Sequence, residues 1–183
     1  MPDSHALKQS IQLAFADVEP PPPWCLSNSR EGDEPQLLEQ EFRAVSNRHW
    51  SELPHAFLDR APGGFGSALS FFSDEAFRYY LPAYMIAAID GDLFQSDPIF
   101  HLTHGLCPPE DVQPINPRRY GALTNRDCAI RRFATFTQSQ ASAVLAFLEL
   151  AATSPDAFPH EQQCISQAIA TYWSARAAQS HDI

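Results

Sequence analysis

The sequence predicts an all-α fold: a single-domain helical bundle over residues 1–183, with about six to seven helices and a long proline-rich connection. Three observations predict it. Apolar residues return at spacings of three and four along most of the chain, the period of a helix with one face on a core. Alternating runs of β-branched and aromatic residues, the mark of strands, are scarce. Helix-capping residues stand at the heads of the apolar stripes, as in Ser73 and in Thr137-Gln138-Ser139-Gln140.

Ala6, Leu7, Ile11, Phe15 and Val18 place an amphipathic helix over 4–18, capped by Ser4 or Asp3. It stops at Pro20 to Pro23, which favour an extended polyproline form and lead to Trp24 and an acidic loop as far as Asp33. Pro35 suits a first helical turn, and Leu37, Leu38, Phe42 and Val45 supply the stripe that follows. A short helix is expected from about Pro54 to Arg60, ended by APGGFG. Ser73 caps the next helix, Asp74 and Glu75 sit at its positive dipole end, and Gly91 stops it. From Leu93 to Tyr120 the periodicity fades among five prolines, which leaves room for one short helical turn. Asn125 to Phe136 forms a further helix. The capping box at Thr137 begins another, with Ala141, Val144, Leu145, Leu148 and Ala151 inward. A last helix opens near Pro159 and turns Cys164, Ile165, Ala168, Ile169 and Tyr172 to the core.

At 183 residues the chain suits one domain whose core needs no staples. Cys25, Cys107, Cys128 and Cys164 lie far apart with no C-x-x-C pair, which reads as buried thiols in a reducing cytoplasm. The N-terminal MPDSHALKQS lacks the basic start and apolar run of a signal peptide, and no stretch approaches the ~20 apolar residues of a membrane span. A cytoplasmic protein is expected. The net charge of −10 weighs against nucleic acid as a partner, which needs clustered bases to neutralise phosphates. From Asp17 to Glu41 there are seven acids and one base, Arg30. Arg118, Arg119, Arg126, Arg131 and Arg132 lie within fifteen residues that hold one acid, Asp127. An acidic surface of this kind steers a basic partner; it equally promotes solubility.

Residues 71–85, FFSDEAFRYYLPAYM, raise the most specific question. Phe77, Leu81, Tyr84 and Ala88 share a face, and Tyr80, Met85 and Ile86 widen the apolar arc, so the helix belongs at the centre of a core. Pro82 withholds an N–H from the Arg78 carbonyl and is expected to kink the helix. The same residues admit a second reading, with Arg78, Tyr79 and Tyr80 as the polar floor of a cleft where the guanidinium clamps an anion.

ALSFFSDEAFRYYLPAYMIAAI, the later RRFATFTQSQASAVLAFLEL and the closing ATYW together resemble a widespread family of small bacterial proteins classed as a domain of unknown function. The resemblance rests on Phe71, Phe72, Glu75 to Ala83, Phe136 to Gln140, Tyr172 and Trp173, and spans most of the chain. APGGFGSALS and the proline-rich stretch 98–117 depart from the family pattern. The resemblance implies no activity, cofactor or catalytic residue; the family's settings include loci of the toxin and immunity kind.

Few residues offer chemistry. His101, His104 and Cys107 are a weak zinc candidate, because two imidazoles and a thiolate lack an identifiable fourth ligand. Gly63, Gly64, Gly66 and Ser67 have no following lysine and make a turn rather than a phosphate loop. No serine occupies a nucleophile elbow, and no cysteine has a recognisable partner. The expectation is a non-enzymatic protein-binding module without a cofactor, of the immunity type, that docks on a basic toxin domain. Trp24, Glu31, Asp33, Glu34, Glu39 and Glu41 are its candidate interface. The alternatives are a ligand binder or enzyme at Arg78, Tyr79 and Tyr80, and a structural adaptor.

Overall fold

A computed structural model describes residues 3–29, 31–62, 68–155 and 157–179; Arg30 and the segment Gly63, Gly64, Gly66 and Ser67 lie outside the described residues. The fold is all-α: the described residues form helices, with isolated bridges at Ser27–Phe72 and Pro114–Thr124 in place of strands. They group into two compact units, one of Ser4–Pro98 and one beginning at Ile99.

In the first unit, α1 (Ser4–Ala14) buries Leu7 and Ile11, with Phe15 buried just past its end. It stops short of the expected residue 18. The N–H groups of Ala16 and Val18 bond three residues back, and Pro20 disfavours helical geometry in the residue before it. Pro22 is extended, as expected of the proline run, but Pro23–Cys25 closes into a single 3-10 turn. Helix α2 (Asp33–Arg43) starts two residues before Pro35 and buries Pro35, Leu38 and Phe42. Proline is tolerated there because the first-turn N–H groups have no helical acceptor. A 3-10 turn, Trp50–Glu52, precedes α3 (His55–Arg60), and the single turn α4 (Ala68–Phe71) leads to α5 (Asp74–Asp90).

Helix α5 is the unit's centre, packed by α1, α3 and the Trp50–Glu52 turn. Ten of its seventeen residues are buried, which leaves no wide polar face. The Ser73 hydroxyl accepts from the Ala76 N–H at 3.0 Å, and Gly91 ends the helix in the left-handed region at φ 76°. The Asp92 N–H then reaches back to the Ala87 carbonyl at 3.0 Å, as a Schellman closure requires. Pro82 lies inside the helix, which runs continuously through it. Beyond the end, the Asp59 carboxylate accepts from the N–H groups of Phe94, Gln95 and Ser96 at 2.8–3.0 Å. Burial acts to raise the Asp59 pKa, and the three backbone donors outweigh it, so the group is held below the usual carboxylate value.

The second unit opens with α6 (Pro98–Thr103) and a connection that carries more helix than expected: a 3-10 turn at Glu110–Val112 and α7 (Pro117–Tyr120). Gly105, at φ +80°, lies against the start of α8 (Asn125–Phe133), where a Cβ would stand 2.6 Å from the Asn125 carbonyl oxygen. Only glycine permits that approach. Helix α8 begins with a capping box between Thr124 and Asp127, and α9 (Gln138–Ala152) with the expected one between Thr137 and Gln140. The α9 core face is Ala141, Val144 and Leu148 as expected, joined by Ala143 and Phe147, whereas Leu145 is half-buried.

The last helical stretch is α10 (Pro159–Ala168), a π turn at Ile169–Trp173 and α11 (Ser174–Ala178). The wider turn advances the inward face by one residue, so Trp173 is fully buried and Tyr172 only half-buried, contrary to the regular spacing that put Tyr172 inside. The Trp173 indole N–H donates to the Leu102 carbonyl at 3.0 Å, and Phe133 and Phe136 pack on its ring. Cys107 and Cys164 form a disulfide, with Cα atoms 5.1 Å apart. This corrects the expectation of four free thiols: the partners are 57 residues apart, so packing rather than local spacing brings them together. Cys25 and Cys128 remain thiols.

Candidate functional site

The acidic segment is built around a turn that backbone bonds hold firmly. The Ser73 N–H donates to the Leu26 carbonyl at 3.0 Å, and the Asn28 N–H to the Phe71 carbonyl at 2.8 Å. The Ser73 hydroxyl, which already caps α5, also donates to the Cys25 carbonyl. Leu26 is buried beneath this clasp. The clasped 3-10 turn carries Trp24, a residue that is 70% exposed although tryptophan has more apolar area to hide than any other residue.

Helix α2 runs beside the same turn. Glu39 accepts from the Ser27 hydroxyl and from Arg43, each at 3.1 Å, and so ties the Trp24 segment to the middle of α2. Asp33 and Glu34 project from the first turn of α2, about 8 Å along the helix axis from Glu39. Glu31, Asp33 and Glu34 are exposed, while Glu41 is half-buried. Four of the six expected interface residues, Trp24, Glu31, Asp33 and Glu34, thus lie on the surface. Glu39 instead serves as an internal strut. Leu37, on α2, adds a partly exposed apolar group.

Arg78, Tyr79 and Tyr80 sit on α5 in a different setting. Tyr79 and Tyr80 are buried. Tyr80 stacks on Phe72 at 5.0 Å and meets Phe42 and Tyr79 edge-on at 4.8 Å, while Tyr79 faces the His49 ring. Desolvation raises the pKa of both phenols; for Tyr79 a hydrogen bond with the Trp50 backbone opposes it. Arg78 is half-buried, and desolvation lowers its pKa. Tyr79 and Tyr80 thus belong to an aromatic cluster with Phe42, Phe72 and His49.

His101, His104 and Cys107 do not assemble into a metal centre. The Cys107 sulfur is committed to Cys164, and no group of three metal-ligating side chains occurs among the described residues. His101 is pushed down to about 3, first by desolvation and then by the charges of Arg132 and His104, so its ring is neutral at pH 7. In the arginine-rich segment Arg118 and Arg131 are exposed, Arg126 and Arg132 half-buried, and Asp127 is engaged by its capping box with Thr124. No helix among the described residues is long and apolar enough to cross a membrane.

Residues 3–177 match the sequence profile of a family of unknown function, DUF6714. The chain belongs to this family. No curated protein and no solved structure matches it. In this DUF6714 chain three features were hidden from sequence reasoning. The double use of Ser73 as helix cap and clasp looks like an ordinary cap in sequence. The carboxylate of Asp59 sits on a short helix with nothing to announce its three backbone donors. The pairing of Cys107 with Cys164 has no local signature at all.

Proposed function

We propose that this DUF6714 chain is a non-enzymatic protein-binding module of the immunity type, which neutralises a basic bacterial toxin domain in the cytoplasm by docking its Trp24 surface on it. The observation that carries the reading is the exposed Trp24 on a turn clasped by Ser73, followed in the chain by the exposed acids Glu31, Asp33 and Glu34. Interface energy concentrates in a few aromatic or charged anchors, and an anchor already held in place loses little entropy on binding. The exposed acids that follow it in the chain supply steering toward a positively charged partner and a penalty against an acidic one. The packed rings at Tyr79 and Tyr80 give the ligand-binding alternative no comparable support.

The test is co-expression of the chain with the product of the adjacent gene, followed by calorimetry on the purified pair. Trp24→Ala is expected to weaken binding by about 30-fold, the loss of one ~2 kcal/mol anchor. Charge reversal of Glu31, Asp33 and Glu34 to lysine should slow association and flatten its salt dependence. An unchanged affinity for both variants overturns the assignment of this surface. The absence of any complex with a toxin overturns the immunity reading.

A further inference from the structure

The Cys107–Cys164 disulfide is asymmetric in its access to solvent. Cys107, in the segment that follows α6, is 4% exposed. Cys164 is half-buried on α10, and its sulfur lies 3.7 Å from Nε2 of His160, one helical turn earlier and exposed. An incoming thiolate therefore has one sulfur to attack, that of Cys164. The leaving sulfur is also provided for. The Pro108 carbonyl oxygen lies 3.5 Å from the Cys107 sulfur, placed to accept a hydrogen bond once that sulfur carries a proton. The unit does not depend on the disulfide alone, because Trp173 bonds to the Leu102 carbonyl and α9 packs on α11.

We propose that this disulfide is an exchangeable site that takes up a small monothiol of the glutathione class at Cys164. A thiolate RS⁻ attacks the Cys164 sulfur, the S–S bond breaks, and Cys107 leaves as a thiolate that takes a proton and bonds to the Pro108 carbonyl. A second RS⁻ attacks the outer sulfur of the Cys164 mixed disulfide, releasing RSSR and the Cys164 thiolate beside His160. Two RSH are oxidised to one RSSR, and the protein disulfide is reduced to two thiols. His160 is a positioning residue: its ring N–H holds the Cys164 sulfur as thiolate in the open form. For each pKa unit that a partner takes off a thiol, the thiolate fraction rises about tenfold and its nucleophilicity falls about threefold, a net gain of about threefold in rate.

The experiment incubates the full folded chain with reduced glutathione, traps thiols with acid and alkylating agent, and maps adducts by mass spectrometry, with circular dichroism in parallel. The expected result is a glutathione adduct on Cys164 and free thiol at Cys107, with helix content retained. Cys107→Ser should accumulate the Cys164 adduct when given oxidised glutathione. His160→Ala should slow alkylation of the open form at Cys164 about threefold and shift the pH profile of that rate upward, whereas a purely structural histidine leaves the profile in place. Opening of the disulfide only in denaturant, an adduct confined to Cys107, or loss of the helical signal on reduction each overturns the proposal and makes the bond a permanent staple.

Discussion

Trp50 and Tyr84 show how a core tolerates polar atoms that it does not use. The indole N–H of Trp50 and the hydroxyl of Tyr84 are buried without a hydrogen-bond partner among the described residues. A buried hydroxyl that makes no bond has lost water and gained nothing. Tyr84→Phe is therefore expected to leave the fold unchanged and to stabilise it by about 1 kcal/mol, read as a higher urea midpoint at constant slope. His101 predicts a pH dependence. Its folded pKa, about 3, lies below the ordinary histidine value of 6.5, so the unfolded chain binds the proton more readily. The stability that this group contributes is full above pH 6.5 and falls as pH drops toward 3, by at most about 1.4 kcal/mol per pH unit. Urea titrations at pH 7 and pH 5 should show the loss, and His101→Leu should flatten it; an equal slope in the variant removes His101 from the account.

Among the elements, α5 joins core to surface. Its first residue is set by Ser73, whose hydroxyl accepts from the Ala76 N–H and donates to the Cys25 carbonyl, so one side chain starts the helix and clasps the Trp24 turn. Removing a cap costs about 1 kcal/mol, and here a second bond goes with it. Ser73→Ala should lower stability by about 2 kcal/mol and speed hydrogen exchange at the Asn28 N–H, while α9, capped by its own Thr137, keeps its protection. Uniform loss of protection in both helices contradicts that local role. The π turn within α10–α11 has a different cause: it gives the helix one extra residue, which seats Trp173 on the Leu102 carbonyl. A regular helix at the same site turns Tyr172 inward, and that is the arrangement the spacing of Ile165, Ala168 and Tyr172 suggests.

For the molecule as a whole, the disulfide closes a long loop. With partners 57 residues apart, the chain-entropy account makes it worth about 4 kcal/mol, so the paired substitutions Cys107→Ser and Cys164→Ser should reduce unfolding free energy by up to that amount while retaining helical structure. A change below about 1 kcal/mol argues that the bond does not form in solution. By itself the sequence determined the helical class, the caps at Ser73 and Thr137, the stop at Gly91 and the burial of the aromatic helix, because each depends on residues within about one turn or on a period of 3.6. It also marked Trp24 and the acids near it as surface candidates, though not which acid would become a strut. Tertiary structure alone decided that Glu39 ties Ser27 to α2, that Tyr79 and Tyr80 join an aromatic cluster, that Trp173 rather than Tyr172 enters the core, and that Cys107 finds Cys164. Each of those outcomes joins residues far apart in the chain or depends on a change of helical phase, and neither leaves a trace in local periodicity.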